Sequence, residues 1–62
     1  MPVYVSQDWD TRGGLVVVNA VDFERAVKAI VNSDIIDVHQ GNVIRNLREM
    51  KEGEILYEYG GD

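Results

Sequence analysis

The chain has 62 residues, no cysteine, and 11 acidic against 6 basic side chains, a formal net charge of −5. Its 45% hydrophobic and 27% charged composition is that of a folded domain rather than a disordered tail. Without cysteine, disulfides and thiolate metal sites are excluded; the acidic balance argues against direct binding of nucleic-acid phosphates; no apolar run approaches the roughly 20 residues of a membrane span.

The first strand is expected at Val3–Gln7, with Val3 and Val5 on one face and Tyr4 and Ser6 on the other. Asp8 to Gly14 has turn chemistry, and the β-branched run Leu15–Asn19 reads as the second strand of an antiparallel hairpin with a longer loop. Phe23, Ala26, Val27, Ile30 and Val31 recur at helical spacing, which predicts a helix near 22–33 with Asp22 as N-cap and Glu24–Lys28 as a supporting pair. Ser33-Asp34 closes it.

Ile35–His39 reads as a short strand and Gln40-Gly41-Asn42 as a turn. Val43, Ile44, Leu47 and Met50 form the apolar face of a second helix near 43–52, capped by Asn42 and stopped at Gly53. A hairpin over Ile35–Ile44 is the rival. Glu54–Tyr59 alternates as a last strand, and the end from Tyr59 to Asp62 reads as a frayed tail. The expected fold is one α+β domain spanning 1–62, in ββαβαβ order, with a mostly antiparallel sheet and both helices on one face.

Such a sheet carries more apolar surface than one helical layer covers. If the helices meet Val3, Val5, Ile55 and Tyr57, then Tyr4, Leu56 and two residues of the second strand face outward, and Tyr4, Val16, Val18 and Leu56 form a candidate dimer interface. The competing arrangement makes Leu15–Asn19 a central strand crossed by the hairpin loop, with Trp9 folded over it.

No catalytic, metal or cofactor motif is present. Asp8-Trp9-Asp10-Thr11-Arg12-Gly13 opens like a calcium loop, but Arg12 stands where a ligand belongs and Asn19 where a bidentate Glu is required. His39 has no second histidine or cysteine to share a metal, and it stands in no nucleophile motif. Gly13-Gly14 precedes a strand, unlike a phosphate loop. Arg45, Arg48 and Lys51 read as a solvated basic shoulder of the second helix, interleaved with Glu49 and Glu52. Trp9 is flanked by Asp8 and Asp10, so it suits protein contact better than base stacking.

These features describe a small acidic non-enzymatic protein-binding module, expected to be a cytoplasmic homodimer that modulates or inhibits another protein. The start Met1-Pro2-Val3-Tyr4 lacks the basic and apolar regions of a signal peptide. A compact acidic ββα unit of this kind is similar in type to phage and mobile-element accessory proteins. The acidic balance has two readings: solubility alone, or acids that face a partner with a basic surface, in the sharpest form a nucleic-acid-handling or host-defence enzyme blocked by charge mimicry. Asp8, Trp9, Asp10, Glu54 and Glu58 are the candidate partner-binding residues. The alternative is a small-ligand or structural domain whose oligomer builds a pocket at the subunit interface, lined by Trp9, Tyr57 or Tyr59.

Overall fold

The computed structural model describes residues 1–34 and 37–57. Strand β1 (Val3–Asp10) lies between two antiparallel neighbours, β2 (Gly13–Asn19) and β3 (Leu47–Glu49), in the spatial order β2-β1-β3. Helix α1 (Phe23–Val31) follows β2; a single 3-10 turn (Asp37–His39) leads into the short helix α2 (Gln40–Arg45). The class is α+β: a three-stranded antiparallel sheet with two helices.

Directly paired residues share a face of a sheet. Tyr4 pairs with Val18 and Glu49, and Ser6 with Val16 and Leu47. This is the face the helices cover. Tyr4, Ala20, Ala26, Ile30, Val43 and Leu47 form the core, with Val16, Val18 and Trp9 packed against it. Val5, Gln7, Leu15, Val17 and Arg48 point the other way. The expected facing is therefore inverted: Tyr4 is inside and Val5 lies on the face without helices. Both parities of β1 are apolar at their centre, so alternation alone cannot choose between them. The helix side supplies partners only for Tyr4 and Ser6. Phe23 meets the Tyr4 ring edge-on at 5.8 Å, and the buried Ser6 hydroxyl donates to the Val43 carbonyl at 2.7 Å. That carbonyl belongs to the last turn of α2, where the helix offers it no partner of its own.

Helix α1 forms as its sequence dictates. The Asp22 carboxylate accepts from the Arg25 N–H at 2.8 Å, and Ala26 and Ile30 are buried. At its other end the Gln40 side chain donates to the Val31 carbonyl at 3.1 Å, tying the start of α2 to the end of α1.

The second half departs from expectation. Asp37–His39 is a 3-10 turn rather than strand; Ile35 and Ile36 lie outside the described residues. Asn42 sits within α2 instead of capping it, and α2 stops at Arg45. Both the backbone N–H (3.3 Å) and the side-chain amide (2.9 Å) of Asn46 donate to the Asn42 carbonyl, closing the helix. The chain then pairs with the free side of β1, where Met50 N–H donates to the Val3 carbonyl at 2.7 Å. Leu47 is buried in this arrangement just as a continuing helix would have buried it. Arg45, Arg48 and Lys51 consequently fall on a helix end, a strand and a turn, not on one helical shoulder. Glu54–Tyr57 is irregular rather than strand, and residues 58–62 lie outside the described residues. No helix among the described residues is long and apolar enough to cross a membrane.

Candidate functional site

The hairpin is tighter than its sequence suggests. Strand β1 continues to Asp10, which pairs with Gly13, so the loop is Thr11-Arg12. Between the pairs Gln7–Leu15 and Asp10–Gly13, Asp8 and Trp9 stand opposite Gly14 alone, which is a β-bulge. Asp8 takes a left-handed conformation (φ 54), tolerated best by Gly, Asn and Asp. The extra residue changes the parity of the strand. Trp9, which uninterrupted alternation would place beside Val5 and Gln7, packs instead with the helix-side core.

Gly14 is the socket for that indole. It has φ +118, and a Cβ there would stand 2.6 Å from Trp9 Cε2. The half-buried His39 ring lies across Trp9, with centroids 5.0 Å apart. The indole N–H is buried and meets no acceptor among the described residues. Trp9 also lines a shallow depression of about 390 Å³, with Asp8, Asp10, Thr11, Asn42, Arg45 and Asn46.

A clamp lies on the other face. Arg48, beside Val5, grips Glu54 with two bonds of 2.9 and 2.6 Å and reaches Gln7 at 3.4 Å. The Lys51 N–H also donates to Glu54, at 3.0 Å. The guanidinium and this N–H hold the Glu54 carboxyl down at about 2, and the hydrogen bond to that carboxylate raises the Arg48 pKa. The clamp brings the following segment back over the sheet, where Leu56 and Tyr57 meet Gln7 and Leu15. Val5 has no exposed surface although it lies on the face away from the helices. On the helix side, burial raises the Tyr4 phenol pKa, and the nearby Glu49 and Asp22 carboxylates add to the shift.

Apolar surface remains exposed along β2 and on the returning segment. Leu15 is 41% exposed, Val17 55%, Ile55 84% and Tyr57 78%. Among the described residues, strand β2 has β1 on one side and no strand on the other. Its seven residues, Gly13 to Asn19, include no charge and no proline.

Of the residues singled out in the sequence, Asp8, Trp9 and Asp10 are gathered around the depression. Glu54 is bound to Arg48 on the face away from the helices, and Glu58 lies outside the described residues. Tyr4 is 6% exposed and part of the core. Val16 and Val18 are half-buried beneath the helices, and Leu56 is half-buried against Gln7 and Leu15. The outward residues of β2 are Leu15 and Val17, not the Val16 and Val18 expected from the sequence, because Val16 and Val18 share the face of Ser6 and Tyr4. The Arg48–Glu54 clamp and the Trp9–Gly14 socket were also missed; the glycine pair after an Asp-rich turn was the one signal for the socket. Among the described residues, no three His, Asp or Glu side chains are placed to hold a metal ion. Comparison of the chain with protein-family models, characterised proteins and solved structures finds no match.

Proposed function

We propose that the protein is a non-enzymatic, protein-binding module of the cytoplasm that works as a homodimer and modulates or inhibits another protein. The observation that carries this reading is the bare β2 strand: seven uncharged residues at a sheet edge, with Leu15 and Val17 exposed beside it. Folded proteins ordinarily blunt such an edge with charge, proline or a cover, because it templates pairing with another chain. A domain of this size also gains stability from association, since its own core supplies only about 3–5 kcal/mol.

The distribution of acids favours contact through apolar surface over mimicry of a nucleic-acid backbone. Asp22 and Glu49 both act on Tyr4, while Asp10 lies about 20 Å further along β1. Glu54 is already matched by Arg48. Asp22 and Glu49 are thus separated from Asp10 along the sheet.

Sedimentation equilibrium tests the homodimer. The expected result is twice the 7.0 kDa chain mass, giving way to the single-chain mass on dilution. A mass of 7.0 kDa at every concentration from micromolar to near-millimolar removes the basis of the proposal.

The surroundings of Trp9 favour a second function, capture of a small zwitterion. The depression is lined by the acids Asp8 and Asp10 together with the cation Arg45, beside the Trp9 side chain. Titration of the Trp9 fluorescence with free amino acids checks it; unchanged emission at millimolar concentrations rejects it.

A further inference from the structure

The backbone of β2 has a sidedness that its ladder reveals. Ala20 N–H donates to the Pro2 carbonyl at 3.2 Å. Hydrogen-bonded and non-bonded pairs alternate in an antiparallel ladder, so Val18 and Val16 also exchange bonds with β1. Leu15, Val17 and Asn19, in alternation with them, turn their N–H and C=O groups toward the other side, where no strand lies among the described residues. Along that side, β2 and α1 leave a groove of about 310 Å³ walled by Val16, Val17, Val18, Ala29 and Ile30.

We propose that a second copy of the chain docks in this place. Its β2 runs antiparallel to the first about a two-fold axis at Val16, joining two three-stranded sheets into one of six. The proposal rests on the homodimer reading above and gives it a seam. Three features select a second copy as the occupant. Each chain carries a net charge of −5, so like chains repel except where a contact is free of acids. Gly13–Asn19 is such a stretch, with Asp10 and Asp22 beyond its two ends.

The second feature is symmetry. Val16 is the midpoint of the strand, and an axis there pairs all seven residues: Gly13 with Asn19 of the partner subunit, Leu15 with Val17 of the partner subunit, and Val16 with its own copy. Antiparallel pairing about one axis closes the assembly at two chains and leaves neither bare edge over.

Area is the third. A specific interface needs about 800 Å² from each partner, roughly one-sixth of the 4785 Å² this chain exposes. A seven-residue strand is only about 23 Å long, so the contact must take in more than the strand itself. The groove supplies the rest, with the small side chain of Ala29 allowing the two α1 helices to approach above the seam.

Hydrogen exchange on the unmodified chain, read by NMR at concentrations above and below dimer dissociation, tests the seam. The amides of Leu15, Val17 and Asn19 are expected to exchange at least about tenfold more slowly in the dimer, while Thr11 and Arg12 in the loop stay unchanged. Because the chain has no cysteine, Val16→Cys and Val17→Cys each introduce a single thiol. Val16 faces its copy in a non-hydrogen-bonded pair, where Cβ atoms come closest. Val16→Cys should therefore oxidise to a covalent dimer and Val17→Cys should not. A crosslink through Val17→Cys alone overturns the axis at Val16. A dimeric mass with unprotected edge amides and no crosslink overturns the seam and leaves self-association standing. A chain that stays monomeric overturns both.

Discussion

Replacing Gly14 by alanine tests the position of Trp9, and Gly13 provides an internal control. Both glycines have positive φ, +103 at Gly13 and +118 at Gly14, so alanine strains the backbone at either. That strain costs about 1–3 kcal/mol in each case. Around Gly13 a new Cβ meets nothing within 4 Å. At Gly14 it would lie 2.6 Å from Trp9 Cε2 and 2.9 Å from Cδ2 and Cζ2. Carbon atoms rest about 3.5–4.0 Å apart, so the indole must retreat by roughly 1 Å, and it is rigid. Overpacking of this kind adds about 1–3 kcal/mol. Gly14→Ala is therefore expected to cost about 2–6 kcal/mol, enough to remove most of the stability of so small a domain, whereas Gly13→Ala stays near the backbone cost alone. Urea unfolding followed by far-UV circular dichroism, a signal that does not depend on the tryptophan, measures both. In a Trp9→Ala background the excess cost at Gly14 should vanish, because the clash has lost its partner. Equal losses at the two glycines, or an excess that survives removal of the indole, would refute the placement of Trp9 over Gly14.

Ser6→Ala should destabilise by about 1–3 kcal/mol, since it leaves a buried carbonyl at the end of α2 unpaired; chemical denaturation reads this directly, and a change below about 0.5 kcal/mol contradicts the bond. The Glu54 carboxyl is lowered from 4.5 to about 2, so its contribution is complete above pH 4.5 and is lost as pH falls toward 2. The stability gap between wild type and Glu54→Gln, measured in urea, should accordingly be open at pH 6 and close across that window; a gap unchanged by pH removes the clamp. Gly41→Ala, in the exposed first turn of α2 with no atom within 4 Å, should raise stability by about 0.5–1 kcal/mol. A lower melting temperature in that variant would show that the helix is misplaced.

The parts of the fold legible in the sequence are those in which a local pattern has one physical solution. The stripe from Phe23 to Val31 fits only a helix, and Asp22 ahead of it fits only a cap. The hairpin was legible as two β-branched runs around glycines. Its facing was not, because Val5 and Tyr4, on opposite faces of β1, are both buried. Leu47 shows the other limit. At helical spacing from Val43 and Ile44 it belongs to a helix, yet its burial is the same in β3, and the open side of β1 offers hydrogen bonds that a longer helix would leave unmade. The site was legible as composition, two acids around a tryptophan. The bulge that turns Trp9 inward depends on the long-range registers of β1, which no short window contains.

The two edges of the sheet are treated in opposite ways, and this contrast is the strongest reason to expect a partner. The β3 edge is three residues long and carries Arg48 and Glu49, the short and charged form that discourages further pairing. The β2 edge is more than twice as long and has no charge at all. A lysine at the centre of β2 should convert the second kind of edge into the first. Val17 is the position for it, because that side chain is 55% exposed and points away from the helices. Val17→Lys should leave the far-UV spectrum intact and give a monomer whose melting temperature no longer depends on concentration. Val18→Lys, one residue along, drives its charge beneath the helices, where Val18 packs against the core, and should unfold the chain at any concentration. A Val17→Lys protein that sediments as a dimer would show that β2 is not where two chains meet.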